Sequence, residues 1–238
     1  MLERLDSAMR QQKIFIADAS HELRTPIAVA KSTLQATLAI PRSPEEYRQA
    51  LQEATDDLRR MERLVDDLLT LAHLEENPSP MQSRELDLNE LLKDVAEAAL
   101  PRISSAGGRL VCELAPFHFT GDPEQLRRLF ANLLDNALRH GPAGGEVRLT
   151  LRHQEGMAEI LVHDEGGAIS PEDLPYLFDR FYRADRSRSQ STGGIGLGLA
   201  IAKAIILRHG GAIRIESTVA AGTSVRVFLP DRPVTAPL

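Results

Sequence analysis

Hydrophobic residues in the first third of the chain recur at a spacing of three and four. A first set lies at positions 16, 19, 23, 27, 30, 34 and 38, and the segment PRSP at 41–44 interrupts the pattern. The second set consists of Leu51, Ala54, Leu58, Met61, Val65, Leu68 and Ala72. This spacing lines up apolar side chains along one side of a helix. The pattern predicts two long helices joined by a tight turn. A second copy of this hairpin would cover both apolar stripes in a symmetric four-helix bundle.

A polar segment, EENPSPMQSRE at 75–85, follows the second predicted helix. It contains two prolines and has neither the helical nor the strand period, as is typical of a linker. We therefore expect a first domain at 1–76, a linker at 77–86, a second domain at 87–232 and a tail at 233–238.

Beyond this segment the pattern changes to a mixture of helices and strands. Helical spacing covers 88–100, 121–140 and 196–210, and a short helix is expected from about Pro171. Strand-like runs lie at 109–115, 146–153, 157–165, 212–217 and 223–230. Asp122, Pro123 and Gln125 form the start signal of the second of these helices. The pattern predicts an α+β domain with a layer of helices on a mostly antiparallel sheet.

Composition narrows the classes of protein to which the chain can belong. Its 238 residues are 42% hydrophobic, which suits two modest domains, and its formal net charge of -6 disfavours a protein that coats nucleic acid. Cys112 is the only cysteine, so an intrachain disulfide is excluded, and we expect a buried structural thiol in a reducing compartment. No apolar run approaches the ~20 residues needed to cross a bilayer, so the chain as written is expected to be soluble.

The stretch DASHELRTPIAVAK at 18–31 places reactive side chains inside the first predicted helix. His21 is two residues from the apolar position on either side of it, about 200° around the helix, and is expected to face solvent. Glu22 can orient or deprotonate its imidazole, and Thr25 shares its face one turn later. Pro26 removes an amide donor, which weakens or bends the helix at this turn. An ordinary surface histidine on a kinked helix is the alternative.

The helix segment NLLDNALRH at 132–140 carries asparagines one turn apart. Asn132 and Asn136 share one face of the helix, with Asp135 and Arg139 beside them. Oxygen ligands suit Mg²⁺, which binds nucleotide phosphates through a few protein groups. A polar helix face without a ligand is the alternative.

Two glycine-containing stretches have the composition of phosphate or nucleotide loops. HDEGGAIS at 163–170 follows a predicted strand, and TGGIGLGLAIAKAI at 192–205 begins a predicted helix. Small residues let backbone amides approach phosphate oxygens, and a helix N-terminus favours negative charge. The second stretch is not a P-loop, because no Gly-Lys-Ser/Thr follows. A flexible linker would have a similar composition.

These motifs, in this order, resemble those of the sensor histidine kinases of two-component systems. FIADASHELRTPIAVAKSTLQ at 15–35 resembles their phosphoacceptor box, and NLLDNALRH, HDEGGAIS and TGGIGLGL resemble their N-box, adenine box and second glycine box. LFDRFYRAD at 177–185 is similar to their phenylalanine box, in which Phe178 and Phe181 anchor the lid. AGTSVRV at 221–227 corresponds to the closing strand motif. The resemblance implies that residues 1–76 are a dimerisation and histidine phosphotransfer domain, a helical hairpin that forms a dimeric four-helix bundle. It also implies that residues 87–232 are a catalytic ATP-binding domain, an α/β sandwich of the Bergerat type.

The resemblance also implies roles for individual residues. His21 would be phosphorylated, Glu22 would assist as a base, and Thr25 would support dephosphorylation of the partner response regulator. Asn136 would ligate Mg²⁺, and Asp164 would accept a hydrogen bond from the adenine amino group. Further nucleotide-binding positions would be Asn132, Arg139, His140, Gly166, Ala168, Arg180, Arg183, Thr192, Gly194, Gly196, Gly198 and Leu199.

Ala168 stands where the family has a glycine. If the loop needs a left-handed backbone there, alanine is strained, and its methyl group could also crowd the base or its ordered waters. Either effect implies that Ala168→Gly tightens ATP binding. If the backbone is ordinary, glycine would bind equally or slightly worse. The sequence favours the first alternative slightly.

The resemblance implies a homodimer that uses ATP and Mg²⁺ to phosphorylate His21 and passes the phosphoryl group to an aspartate of a response regulator receiver domain. No nucleic-acid partner is expected. The chain would be the cytoplasmic part of an inner-membrane protein, joined to the membrane only through a missing N-terminal sensor region. Two other functions stay open. One is a nucleotide-binding scaffold or phosphatase without autokinase activity, which Ala168 keeps possible, and the other is a different Bergerat-type ATPase.

Overall fold

The computed structural model of the chain describes residues 2–76, 81–154, 156–184 and 194–231. These residues form two compact units. The first runs to Thr70 and includes residues 194–195, and the second begins at Leu71 and takes in the other described residues.

The first unit is built from two long helices, α1 (Leu2–Leu38) and α2 (Pro44–Glu76), as the periodicity predicts. Helix α1 continues through Pro26. Ser43 begins α2 with a capping box, because its hydroxyl accepts the Glu46 amide at 3.3 Å while the Glu46 carboxylate accepts the Ser43 amide at 2.8 Å. Pro44 follows as the first helical residue, where its missing amide donor has no cost.

Among the described side chains of the hairpin, the buried ones are mostly small, and many of the large apolar ones are exposed. Pro26, Ala30, Ala50, Ala54 and Leu64 are buried. The exposed apolar face, as we name it, consists of Ile16, Ile27, Leu34 and Leu38 of α1 and Leu51, Leu58 and Val65 of α2. Each predicted stripe is therefore divided in the single chain. Ala30 and Ala54 are buried within the hairpin, while larger members of the same sets are exposed and left for the second copy that the prediction requires.

The core of the second unit is a five-stranded sheet covered on one side by helices. Its strands are β2 (Arg109–Leu114), β4 (Glu146–Gln154), β5 (Met157–Asp164), β6 (Ala212–Thr218) and β7 (Gly222–Pro230), in the order β2-β4-β5-β7-β6. Only the β2–β4 pair is parallel. The helices are α3 (Leu88–Ser105), α4 (Pro123–His140) and α5 (Gly198–Arg208). The α+β architecture predicted from the sequence is confirmed.

Buried apolar side chains come from alternate positions of the central strands and from one face of each helix. On the sheet these are Val147, Leu149, Leu151, Ala158, Ile160, Val162, Val225, Val227 and Leu229. On the helices they include Leu92, Ile103, Leu126, Phe130, Leu133, Ile201 and Ile205. Alternation along a strand places every second residue on one face, so the sheet has one face on this core.

The start of α4 follows the predicted capping pattern. The Asp122 carboxylate accepts the amides of Glu124 and Gln125, at 3.1 and 3.2 Å, and the Gln125 side-chain amide at 3.0 Å. The buried His209, which follows α5, accepts the Asp122 amide on Nε2 at 3.1 Å and donates from Nδ1 to the Ile205 carbonyl at 2.8 Å. Burial lowers the pKa of His209, so this imidazole is held neutral between the two helices.

Four local expectations differ from the structure. Residues 84–86 of the expected linker belong to a strand, β1 (Arg84–Asp87), which pairs with β3 (His118–Gly121). Strands of four residues are too short to show a clear period. The helix expected from about Pro171 is a single 3₁₀ turn at Leu174–Tyr176. The helix expected at 196–210 occupies only Gly198–Arg208. Cys112 is exposed rather than buried, because β2 is an edge strand of the sheet.

Candidate active site

The proposed phosphoacceptor, His21, lies on the solvent side of α1 as the helical geometry predicts. Its side chain is exposed, and that of Glu22 is half-buried. Thr25 is exposed one turn later, and its hydroxyl donates to the His21 carbonyl at 3.3 Å. Pro26 is buried on another side of the helix. A nucleophile must be accessible to its electrophile, and the exposed side chain of His21 meets this requirement.

The second unit presents a buried carboxylate at the end of a central strand. Asp164 is the last residue of β5 and is only 5% exposed. Its Oδ1 accepts the Gly166 amide at 2.9 Å. Burial raises the pKa of Asp164, while the hydrogen bond from Gly166 and the nearby His163 act in the opposite direction. A buried acceptor of this kind suits the amino group of a nucleobase.

The backbone around Asp164 leaves no room for a side chain at two neighbouring glycines. A Cβ at Gly166 would lie 2.5 Å from Asp164 Oδ1 and 2.5 Å from the His140 carbonyl oxygen. A Cβ at Gly222 would lie 2.2 Å from the Asp164 carbonyl oxygen, and Gly222 has a φ of +72°. At position 166, which the resemblance assigns to nucleotide binding, glycine is therefore needed because Asp164 and the His140 carbonyl approach its backbone closely, and not because of a left-handed turn.

Ala168 has an ordinary backbone conformation. Among the described non-glycine residues only Phe181 has a positive φ, of 59°. The strain that would make alanine a handicap at position 168 is therefore absent, so the expectation of tighter ATP binding by Ala168→Gly keeps only its second reason, crowding of the base by the methyl group. The methyl group of Ala168 is exposed.

The loop after Asp164, residues 165–169, is fastened to the sheet by hydroxyl groups that the sequence did not single out. The Ile169 amide donates to Ser217 Oγ at 3.0 Å, and Ser217 Oγ lies 2.8 Å from Thr223 Oγ1. Thr223 is in register with Asp164 on the next strand. The fragment AGTSVRV was expected as a closing strand, but no local signal pointed to Ser217.

Helix α4 forms a second wall near this carboxylate. Asn132 Nδ2 donates to the Gly198 carbonyl at 3.3 Å, which joins α4 to the start of α5. The half-buried Asn136 has no hydrogen-bond partner for its side-chain amide among the described residues, so its oxygen is available to a ligand. Asp135 is instead paired with Arg102 of α3 at 2.7 Å.

The C-terminal turn of α4 carries a guanidinium and an imidazole. Arg139 and His140 are its last two residues, and both are exposed. Partial desolvation of the imidazole lowers the pKa of His140, and the charges of Arg139 and Arg183 act in the same direction. Arg183 and Arg180 are half-buried in the segment after the 3₁₀ turn. Their nearness to phosphate groups stays a prediction.

Phe181 and Gly196 form a backbone contact across the segment that separates them. The Phe181 amide donates to the Gly196 carbonyl at 2.9 Å, and a Cβ at Gly196 would lie 2.9 Å from the Phe181 carbonyl carbon. Gly196 has a φ of +78°, so glycine is required there. At Gly198 the nearest atom to an added Cβ is Asn132 Cγ at 3.8 Å, which is ordinary contact.

The structure places the remaining predicted positions as follows. Gly194 and Leu199 are half-buried on either side of Gly196, and Thr192 lies outside the described residues. Phe178 and Phe181 are both half-buried, and the Lys203 ammonium lies 5.4 Å from the centre of the Phe178 ring.

The hydroxyl of Tyr182, the residue after Phe181, donates a hydrogen bond to the Asp173 carboxylate at 2.5 Å, and this bond raises the pKa of Tyr182 to about 12.

Several groups of the second unit have the chemistry that an adenine nucleotide would use. Asp164 offers a buried acceptor, Asn136 a side-chain amide without a partner among the described residues, and Arg139 a positive charge. Gly166 keeps the backbone close beneath the carboxylate. The residues present fit ATP.

None of the helices in the described part of the chain has both the length and the apolar character needed to span a membrane.

Two family descriptions match separate parts of the chain. Residues 11–77 match the His Kinase A (phospho-acceptor) domain. Residues 121–233 match the histidine kinase-, DNA gyrase B-, and HSP90-like ATPase family. The first match contains His21, and the second contains the proposed nucleotide site, so the second supports the use of ATP.

Curated relatives carry both parts. Sensor histidine kinase RppB of Synechocystis is 39% identical over 224 residues, which are 93% of this chain and 49% of RppB. Sensor histidine kinase CusS of Escherichia coli K12 is 36% identical over 235 residues, which are 97% of this chain and 48% of CusS. The chain therefore spans about half the length of the curated relatives it matches.

Solved structures share the fold. The mycobacterial sensor histidine kinase MprB is 32% identical, with a TM-score of 0.56 over 64% of this chain and 99% of that chain. A structure of histidine kinase ThkA in complex with the response regulator protein TrrA is 21% identical, with a TM-score of 0.77 over 99% of this chain and 68% of that chain. With two family matches in series and relatives of this identity, the chain belongs to the sensor histidine kinases of two-component systems.

Proposed function

We propose that the chain is the kinase portion of a sensor protein, which transfers the γ-phosphoryl group of ATP to His21 and then to an aspartate of a response regulator. The observation that supports this most directly is the combination of an exposed histidine on α1 with a buried carboxylate beside close-packed glycines in a separate ATPase unit.

In this mechanism Asp164 binds the adenine and α4 binds the phosphates. Asp164 accepts the adenine amino group, and Arg139 and His140 lie near the phosphate charge at the end of α4. Asn136 would hold Mg²⁺, which neutralises phosphate charge and positions the transferred group. Glu22 takes the proton from one imidazole nitrogen of His21, so the other nitrogen can attack. Catalysis by the protein is then largely positioning.

The active form in this proposal is a homodimer. The exposed apolar face of the hairpin, from Ile16 to Val65, includes Leu38 at 78% and Leu51 at 60% exposure. Exposed apolar surface is unfavourable in water, and a second hairpin can cover these residues in a four-helix bundle. The relative ThkA was solved in complex with a response regulator, which supports the same class of partner for this chain.

The two other functions account for less of the molecule. The function of another Bergerat-type ATPase would not account for residues 11–77, which match a phospho-acceptor domain. A scaffold or phosphatase without autokinase activity was kept open by Ala168, and the ordinary backbone at that position weakens this reason.

The test is incubation with γ-labelled ATP and magnesium, followed by acid and alkali treatment of the labelled protein. We expect an acid-labile, alkali-stable label that His21→Gln abolishes with little change in ATP affinity. The matched control is His73→Gln, since His73 is also an exposed histidine of the hairpin. Asn136→Ala should do the reverse and remove magnesium-dependent ATP binding with the fold intact. Normal labelling of His21→Gln would exclude His21 as the acceptor.

A further inference from the structure

The adenine loop, which we define as residues 165–169, connects the buried Asp164 to Ile169. Its first part is held by a hydrogen bond that the Gly166 amide donates to Asp164 Oδ1. Its far end is held by a hydrogen bond of 3.0 Å that the Ile169 amide donates to Ser217 Oγ, 48 positions further along the sequence. Between these points Gly167 and Ala168 are exposed. A short loop fixed at both ends has few conformations left to lose when a ligand binds.

Ser217 is the link between this loop and the strand that supports Asp164. It lies on β6 directly opposite Thr223 of β7, and the two hydroxyl oxygens are 2.8 Å apart. Thr223 is in turn directly opposite Asp164 of β5. One serine hydroxyl therefore accepts the loop amide and bonds a threonine in register with the nucleobase acceptor.

We propose that Ser217 is a positioning residue for nucleotide binding, which keeps the adenine loop in the conformation that receives the base. This role rests on the proposed nucleotide-binding function. Without the Ser217 hydroxyl, the Ile169 amide has no side-chain acceptor on β6, and the loop can leave the sheet. Only the fraction of molecules with the loop in place can bind, so the apparent affinity is the intrinsic affinity multiplied by that fraction. The γ-phosphoryl chemistry takes place at other residues and is unchanged once the site is filled.

Ser217→Ala tests this role, with Thr218→Val as the matched control. Thr218 is the next residue of the same strand, and its hydroxyl also accepts a backbone amide, that of Ala221 at 3.1 Å. Both changes delete one hydroxyl that accepts a backbone amide at the same end of β6, but Thr218 bonds the β6–β7 turn and not the loop. Ser217→Thr keeps the hydroxyl and is the rescue variant.

The measurements are the calorimetric Kd of Mg²⁺-ADP and the KM and kcat of autophosphorylation, on full-length chains well below their melting temperatures. Loss of one neutral hydrogen bond corresponds to roughly a two- to tenfold change in an equilibrium. We expect Ser217→Ala to raise the Kd for ADP and the KM for ATP by such a factor, with kcat within about twofold of the parent. Thr218→Val should keep the parent Kd, and Ser217→Thr should restore most of the affinity.

A Kd of Ser217→Ala equal to the parent's would overturn the role, and so would an equal loss in Thr218→Val. A fall in kcat alone would also overturn it. If the alanine variant does not fold, Ser217→Cys gives the same test, because a thiol is a weak acceptor of similar size. A parent chain that binds no ADP would reject the nucleotide-binding function itself and this role with it.

Discussion

Two adjacent glycines in the adenine loop should respond oppositely to the same substitution. At Gly166 an added Cβ would lie 2.5 Å from both Asp164 Oδ1 and the His140 carbonyl oxygen, whereas at Gly167 it would meet nothing within 4 Å. Gly167 also has no left-handed φ. Gly166→Ala is therefore expected to damage the site, and Gly167→Ala serves as its control one residue away.

The structure sets the size of the effect. Ordinary contact begins at 3.4 Å, so the Gly166→Ala methyl must gain about 0.9 Å against a backbone carbonyl and a buried carboxylate. Overpacking of this kind costs about 1–3 kcal/mol. Displacing the Gly166 amide from Asp164, where it now donates at 2.9 Å, adds about 1.5–3 kcal/mol. Gly167→Ala should instead be neutral or stabilise by up to about 1 kcal/mol through the unfolded chain.

Denaturant unfolding and calorimetric ADP binding measure both effects. We expect Gly166→Ala to lose roughly 2.5–6 kcal/mol of unfolding free energy in the second unit and to bind ADP at least about tenfold more weakly. Gly167→Ala should match the parent in ADP affinity. Parent-like stability and affinity in Gly166→Ala would refute the close approach of Gly166, Asp164 and His140 on which the site rests.

Three further outcomes follow from the same structure. Thr25→Ala should leave labelling of the protein by ATP largely intact but slow dephosphorylation of the response regulator, because Thr25 is exposed one turn from His21 and is not needed for attack on ATP; equal phosphatase rates would make it a plain surface residue. Ala168→Gly should bind ADP equally or up to about threefold more weakly, since alanine has an ordinary φ there and glycine only loosens the loop; tighter binding in calorimetry would contradict this. Burial lowers the pKa of His209 below its usual 6.5, so the imidazole takes up a proton more readily in the unfolded chain than in the folded one. The free energy of unfolding should therefore fall as the pH drops below about 6.5, by up to about 1.4 kcal/mol per pH unit. Urea unfolding between pH 7.5 and 5 should show this slope in the parent and a smaller one in His209→Gln; identical slopes would remove His209 as the cause.

The sequence by itself determined the elements with strong local signals. The capping residues of α4 are within three positions of one another, and Asp122 makes the predicted bonds. Long periodic runs gave α1, α2 and the strands from β4 to β7, because helix and strand periods are properties of neighbouring residues. The solvent-facing position of His21 also followed from helical geometry alone. Asp164 could be singled out because an acid followed by glycines at a strand end is a local pattern.

Only the tertiary structure decided which distant residues meet. Ser217 supports the adenine loop from 48 positions away, and Phe181 meets Gly196 through a backbone bond. Such contacts depend on sheet register and on how helices pack, and neither is encoded within a few residues of the groups involved. The same reason explains why the sequence did not say which members of each apolar stripe the hairpin buries by itself, since that depends on how the two helices pack. The ordinary backbone of Ala168 was likewise not predicted, because alanine itself does not decide between the two conformations that the sequence left open.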